Sequence, residues 1–257
     1  KSFNQDISSW DVSNVTDMYN MFWDAESFNQ NLSTWDLSSV TTAGDMFKYA
    51  DALSDGNKCL MHLSLQIYDA WPYDWSGECS FYVPDDNFEQ ALIDLGYDDT
   101  LDDTVSYTNI SGVTSLNVYG KEISDLTGIE GFSALTILYC GENQLTSLDL
   151  SENRALTQIG CYNNQLSSLD VSANTALEDL WCGENQLITL DVSTNTALTV
   201  LDCSSNQLVY LNMKNGVTDQ LTEFNATNNS FDCIEVNAED VDYATENWTY
   251  ANGNIDE

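Results

Sequence analysis

The stretch that decides the fold is LTILYCGENQLTSLDL, at residues 135–150. Its pattern restarts at Leu156, Leu177 and Leu198, a spacing of 21 residues, with a looser copy at Leu221. Val113–Ala134 forms a more divergent first copy. A period of this length is typical of solenoids, in which one repeat cannot bury its apolar stripe alone and neighbouring coils share a continuous core.

The positions within one repeat predict which side chains face inward. Counting from Leu135, positions 1, 4, 6, 11, 14 and 16 are apolar or cysteine. In strand geometry, positions 4 and 6 then face the core and positions 3, 5 and 7 face outward. Position 9 is always an asparagine whose side-chain amide can satisfy backbone groups at a tight bend: Asn143, Asn164, Asn185 and Asn206. We therefore expect a parallel solenoid of about six coils, mostly strand and turn, with little helix.

A different repeat occupies the start of the chain. FNQDIS at residues 3–8 returns as FNQNLS at 28–33, and WDVS at 10–13 returns as WDLS at 35–38. This period is 25 residues, and a third copy beginning at Ala50 breaks off. Because Trp10 and Trp35 occupy the same repeat position, we interpret both as structural residues.

The two repeat types resemble known families. The core WDVSNVTDMYNMF at residues 10–22 resembles the BspA-like (DUF285) surface repeats of bacteria. The later LxxLxCxxN repeat resembles the cysteine-ladder internalins and the secreted leucine-rich-repeat proteins of Bacteroidetes, in particular flavobacteria. VPDDNFEQAL at 83–92 resembles the short helical cap that precedes such repeats. The resemblance implies a secreted or cell-surface binding protein.

These resemblances divide the chain into five segments. We expect BspA-like repeats at 1–53, a junction at 54–81, a helical cap at 82–112, leucine-rich repeats at 113–236 and a C-terminal cap or tail at 237–257. The junction is polar and loop-like, and it resembles the closing segment that follows 25-residue repeats in flavobacterial proteins. Because Lys1 opens within a repeat and the tail ends at Glu257, we expect the chain to be a piece of a longer protein.

The seven cysteines fall into two groups. Four of them share one interior repeat position: Cys140, Cys161, Cys182 and Cys203. Thiols stacked in a column and pointing the same way cannot surround a zinc ion tetrahedrally, and they do not have the torsion angles of a disulfide. We therefore expect these four cysteines to be free and to fill the core as small apolar residues. Cys59 and Cys79 flank the junction, and exported proteins cross-link such segments, which predicts a disulfide. Related secreted proteins pair a cysteine like Cys233 with a later one, which we expect beyond Glu257.

The charge balance excludes two classes of partner. Forty-two acidic residues against six Lys and Arg give a net charge of −36. Nucleic acids and anionic membranes both require clustered cations, so neither is expected to bind. No apolar run is long enough for a membrane span. We also expect the chain to be a monomer. The acidity serves either solubility in a salty medium or the attraction of cations.

Catalytic and metal-binding patterns are weak. The single histidine, His62, lies beside a cysteine that the disulfide would consume, and no phosphate-binding loop or zinc helix is present, so we expect no enzyme. One acidic loop could take Ca²⁺, although it lacks the glycine and closing glutamate of an EF-hand: Asp98, Asp99, Asp102 and Asp103. Weak calcium binding and a simple solvated loop stay open as alternatives, and no other cofactor is expected.

The outward positions of the leucine-rich coils predict a binding face. Four successive coils place aromatic side chains there: Tyr119, Tyr139, Tyr162 and Trp181. Polar residues are expected around them: Glu142, Asn163, Asp179, Glu184 and Asp202. Such aromatic and polar mixtures are typical of recognition sites, although half-exposed strands favour aromatic residues in any case.

Three functions fit this face. The first is adhesion or binding of a protein partner with a basic surface, through the concave side of the repeats. The second is binding of a neutral glycan, because sugars stack on Tyr and Trp and bond to acidic and amide groups. The third is a structural spacer attached to another domain.

Overall fold

The computed structural model describes residues 2–249 and 252–255, which form two compact units. One unit runs to Ser80 and includes Ser106–Thr108, and the other takes Phe81–Val105 and resumes at Asn109. In this part of the chain, no helix has the length and apolarity needed to cross a membrane.

The first unit is built from the 25-residue repeats. Residues 18–24 of one coil donate backbone hydrogen bonds to residues 42–48 of the next, as from Met18 N to the Thr42 carbonyl at 2.7 Å. Equivalent side chains stack across the same interval, with the rings of Phe22 and Phe47 5.3 Å apart between centroids. The repeat period therefore corresponds to one turn of a small solenoid.

The two repeat tryptophans differ in exposure: the predicted structural role is confirmed for Trp35 and stays a prediction for Trp10. Trp35 is 2% exposed and its indole N–H donates to the Ile7 carbonyl of the preceding coil at 3.1 Å. Trp10 is 53% exposed. Trp35 is buried because it packs on a neighbouring coil, whereas no coil of the described residues covers Trp10.

The segment after these repeats contains a helix rather than the predicted loop. Helix α1 spans Asp55–Leu65, begins at the N-cap Ser54 and buries Met61 and Leu65. Their i, i+4 spacing places both side chains on one face, which explains the helix. A 3₁₀ turn follows at Ser76–Glu78, and Cys59 of α1 forms a disulfide with Cys79.

A helical cap precedes the leucine-rich repeats. It consists of strand β1 (Ser80–Tyr82), helix α2 (Asp86–Asp94), strand β2 (Thr104–Ser106) and the short helix α3 (Tyr107–Ile110). One oxygen of Asp85 caps α2 by accepting from two amides of its first turn. Its other oxygen accepts from the Ser124 amide at 2.8 Å, which fixes the cap to the first leucine-rich coil.

The leucine-rich repeats form a fully parallel six-stranded sheet. Its strands, in spatial order, are β3 (Ser115–Asn117), β4 (Ile137–Tyr139), β5 (Gln158–Gly160), β6 (Asp179–Trp181), β8 (Val200–Asp202) and β10 (Glu223–Asn225). Leu138 pairs with Ile159, which pairs with Leu180, so the register equals the sequence repeat. The predicted parallel solenoid is therefore confirmed.

A second parallel sheet lies later in the same coils and was not predicted. It contains β7 (Thr189–Asp191), β9 (Tyr210–Met213) and β11 (Cys233–Val236). A 3₁₀ turn occurs at Ile129–Gly131, and another at Ala238–Asp240 leads into helix α4 (Val241–Asn247). Trp248 stacks on Phe224 at 4.1 Å between centroids. Residues 250, 251, 256 and 257 of the predicted tail lie outside the described residues.

The inward positions fill the core as the alternation predicts. Leu138, Ile159 and Leu180 are fully buried, and so are the four ladder cysteines. At the bend, Asn164 donates to the carbonyls of Cys140 and Cys161, which belong to two successive coils. Its side-chain oxygen accepts from the Leu145 amide at 2.9 Å, so one amide group connects neighbouring coils.

Candidate functional site

The outward side of the six-stranded sheet carries the predicted aromatic residues. Tyr119 is 41% exposed and Tyr162 is 36% exposed, while Tyr139 and Trp181 are half-buried. They do not form a simple chain of neighbours. Tyr119 pairs with Tyr162, with centroids 6.0 Å apart, and Tyr139 pairs with Trp181 at 6.4 Å.

Glycines lie beneath both pairs, and sequence reasoning missed them. Each pair joins alternate coils, and the coil between them has glycine at the same position: Gly141 for the first pair and Gly160 for the second. A Cβ atom on Gly160 would lie 2.8 Å from Cδ1 of Tyr139. A Cβ on Gly141 would lie 3.1 Å from the Tyr162 ring. The rings therefore occupy the space that side chains of the intervening coil would fill.

A row of hydrogen bonds runs beside the second pair. The Tyr139 hydroxyl donates to Gln158 at 3.0 Å, and the Gln158 amide donates to Asp179 at 2.8 Å. Thr199 donates to the other oxygen of Asp179 at 3.3 Å. This row crosses four coils and fixes the polar groups next to the rings. Binding of a ligand would therefore cost little side-chain conformational entropy here.

The remaining polar residues of the predicted set line the edge of the sheet. Glu142 accepts a hydrogen bond from the Tyr119 hydroxyl, which raises the pKa of Tyr119 to about 12. Glu142, Asn163 and Glu184 hold the same repeat position, and each adopts a left-handed backbone with φ of 51–53°. All three are exposed. They turn the chain out of the sheet and present polar side chains along its edge.

A shallow pocket of about 220 Å³ lies where both aromatic pairs end. It is lined by two aromatic residues, a glycine, a hydroxyl and two carboxylates: Tyr162, Trp181, Gly183, Ser204, Glu184 and Asp202. Asp202 accepts from the Ser204 hydroxyl at 2.6 Å and from the Asn225 amide at 3.1 Å. Its carboxylate is therefore held in place on the pocket wall.

The acidic loop after α2 is organised by a glutamate that sequence reasoning missed. Glu89 is 1% exposed and its carboxylate accepts from the amides of Asp102 and Thr104. Burial, and then the charges of Glu89 and neighbouring acids, raise the pKa of Asp98. Within residues 2–249 and 252–255, no three His, Cys, Asp or Glu side chains are grouped so as to hold a metal ion. Weak calcium binding by Asp98, Asp99, Asp102 and Asp103 stays a prediction.

The four ladder thiols and the histidine are buried. Burial raises the pKa of Cys161 to about 12 and raises the pKa of the other three ladder thiols as well. A neutral buried thiol is a poor nucleophile and metal ligand. His62 is 6% exposed, and its Nδ1 accepts from the Trp75 amide at 3.5 Å.

Comparisons with known proteins agree with both repeat types. A family model described as "Mycoplasma protein of unknown function, DUF285" matches residues 1–60. Internalin J of Listeria monocytogenes serotype 4b (strain F2365) is 39% identical over 72 residues, which cover 28% of this chain. That match spans only 8% of the length of internalin J.

Two solved structures illustrate the likeness. The functional domain of InlJ from Listeria monocytogenes, which includes a cysteine ladder, is 28% identical with a TM-score of 0.43. The likeness covers 61% of this chain and 49% of that one. The internalin InlF of Listeria monocytogenes str. 4b F2365 is 17% identical with a TM-score of 0.44, covering 60% of this chain and 63% of its own.

From β4 to β8, the parallel strands, the interior column of four thiols and the asparagine at each bend recur with the same 21-residue period. From Val113 to Val236, the chain folds as a leucine-rich-repeat stack with an interior ladder of four cysteines.

Proposed function

We propose that this chain is a non-catalytic, secreted or surface-displayed module that binds a protein partner through the outward face of its six-stranded sheet. The observation that carries the proposal is the pairing of Tyr139 with Trp181 and of Tyr119 with Tyr162 over glycines. Large rigid rings beside fixed hydrogen-bonding groups are typical of the residues that contribute most to binding energy.

The charge of the molecule indicates the chemistry of the partner. With a net charge of −36, the chain repels acidic surfaces and attracts basic ones. Asp179 and Asp202 lie on strands of the same sheet, next to the aromatic pairs. A partner with a basic patch would therefore associate quickly and in a defined orientation.

A neutral glycan is the second candidate, because half-exposed Tyr and Trp rings lie beside the hydrogen-bonding groups of Gln158 and Asp179. The negative charge of the chain would repel sulfated sugars and uronic acids, which are themselves negatively charged. A spacer role, the third candidate, requires no particular side chains on this face.

Capture experiments separate these functions. The immobilised chain is exposed to extracellular protein extracts and to a glycan array, as wild type, as Tyr139→Ala/Trp181→Ala and as the control Trp10→Ala/Tyr82→Ala. The control removes one exposed tryptophan and one exposed tyrosine outside the sheet. We expect a protein that the wild type and the control retain and the sheet variant loses. Retention of the same ligands by all three forms would contradict the proposal.

A further inference from the structure

The pocket lined by Tyr162, Trp181, Gly183, Glu184, Ser204 and Asp202 has a chemistry distinct from the rest of the sheet. Along its row, the corresponding positions of the two neighbouring coils carry side chains, Tyr162 and Ser204. Gly183 leaves this position open. An added Cβ there would lie 3.1 Å from Oδ1 of Asp202 and 3.2 Å from Oγ of Ser204, so any side chain would begin to fill the pocket.

The carboxylates of this pocket have no cationic partner among the described residues. The three cations of this unit form ion pairs elsewhere, Lys121 with Asp94, Arg154 with Glu152 and Lys214 with Glu235. The hydrogen bonds to Asp202 come from neutral donors, the Ser204 hydroxyl and the Asn225 amide. The pocket therefore keeps its negative charge beside two aromatic rings.

We propose that this pocket receives the cationic side chain of a protein partner, arginine in preference to lysine. The inference rests on the proposed function and adds the chemical identity of the group that the sheet recognises. Aromatic rings attract a cation, and the planar guanidinium both stacks on rings and donates several hydrogen bonds to carboxylates. Glu184 and Asp202 supply the acceptors, and Tyr162 and Trp181 supply the rings. A neutral sugar would leave the two negative charges uncompensated.

The test uses small probes on the full ¹⁵N-labelled chain, followed by NMR at the Gly183 amide and the Trp181 indole. The probes are n-butylguanidinium, n-butylammonium and glucose. We expect saturable binding of n-butylguanidinium with a roughly millimolar Kd, weaker binding of n-butylammonium, and no saturation by glucose. Saturation by glucose, or none by n-butylguanidinium, would overturn the proposal.

Three variants assign the binding to the pocket. Gly183→Thr places a side chain in the opening and should abolish binding of n-butylguanidinium. Glu184→Gln removes one charge and should weaken binding about threefold or more. Glu178→Gln is the control, because it makes the same charge change at an exposed residue outside the pocket. If Glu184→Gln and Glu178→Gln behave alike, the pocket is not the cation site, whatever the folding of Gly183→Thr.

Partner binding distinguishes failure of this inference from failure of the proposed function. If Gly183→Thr keeps the captured partner while Tyr139→Ala/Trp181→Ala loses it, the sheet is the interface and the arginine pocket is wrong. If both variants keep the partner, both proposals are wrong. Loss of the partner from both, with Glu178→Gln unaffected, is the expected result.

Discussion

At the scale of single residues, the outward side chains followed from strand alternation, but their pairing did not. Position 5 of the repeat places Tyr139 and Trp181 on the outer face, and that face is where they lie. Their contact depends on Gly160 in the coil between them. The alternation of inward and outward side chains is a property of a single strand. It therefore cannot show that a glycine in one coil allows the aromatic rings of the two neighbouring coils to meet.

The substitution Gly160→Ala tests this packing. The added methyl would lie 2.8 Å from Tyr139 and must displace the ring, so we expect a loss of about 1–3 kcal/mol in the free energy of unfolding. Gly112→Ala is the matched control, because its Cβ would meet no atom within 4 Å. Urea unfolding provides the measurement. Equal stability of the two variants would show that the ring does not occupy this space.

The ladder thiols should be inert in the folded protein. The thiolate is the reactive form, and burial raises the pKa of Cys161 to about 12, so this thiol stays protonated at pH 8. With iodoacetamide at pH 8, mass spectrometry should find one labelled cysteine, the exposed Cys233, in the native chain. After unfolding without a reducing agent, five cysteines should be labelled, because Cys59 and Cys79 stay joined in their disulfide. Rapid native labelling of any ladder cysteine would contradict the buried column.

At the scale of elements, the asparagine of each bend was predicted, but a second asparagine series was not. Asn153, Asn174 and Asn195 also recur every 21 residues and are at most 1% exposed. Asn174 donates to the carbonyls of Leu150 and Asn153, in the coil before its own. The 21-residue spacing of this second series was visible in the sequence. Its burial was not, because asparagine is also common in exposed turns.

The substitution Asn174→Ala should therefore destabilise the stack of coils. It removes two buried hydrogen bonds between coils, while each carbonyl keeps one backbone donor, so we expect a loss of about 1–2 kcal/mol in the free energy of unfolding. The neighbouring Thr175→Ala is the control, because Thr175 is exposed. Thermal unfolding followed by circular dichroism compares the two. A melting temperature for Asn174→Ala equal to that of Thr175→Ala would refute a structural role for this series.

Strands and caps differed in how far the sequence determined them. The six strands of the main sheet followed from the repeat, and the Asp85-capped helix α2 followed from its resemblance to a known cap. Helix α1 was missed because the junction as a whole is rich in Asp, Trp and Tyr, although Met61 and Leu65 lie at helical spacing within it. The second sheet was missed because β7, β9 and β11 occur in only three coils.

At the scale of the whole molecule, charge should govern the rate of binding. The net charge of −36 steers a basic partner over long distances, and salt screens this attraction. We expect the association rate constant of the captured partner to fall about tenfold or more between 50 and 500 mM NaCl, with a much smaller change in dissociation rate. Surface plasmon resonance measures both. An association rate independent of salt would contradict a basic partner.

The central claim is that the aromatic face of the six-stranded sheet is the binding surface. Its most direct test is the equilibrium dissociation constant of the captured partner, measured by isothermal titration calorimetry for three forms of the chain. Trp10→Ala/Tyr82→Ala should bind like the wild type, within about twofold. Tyr139→Ala/Trp181→Ala should bind at least about 30-fold more weakly, as expected for loss of two central aromatic contacts. Unchanged affinity in this variant, with the fold intact, would contradict the claim.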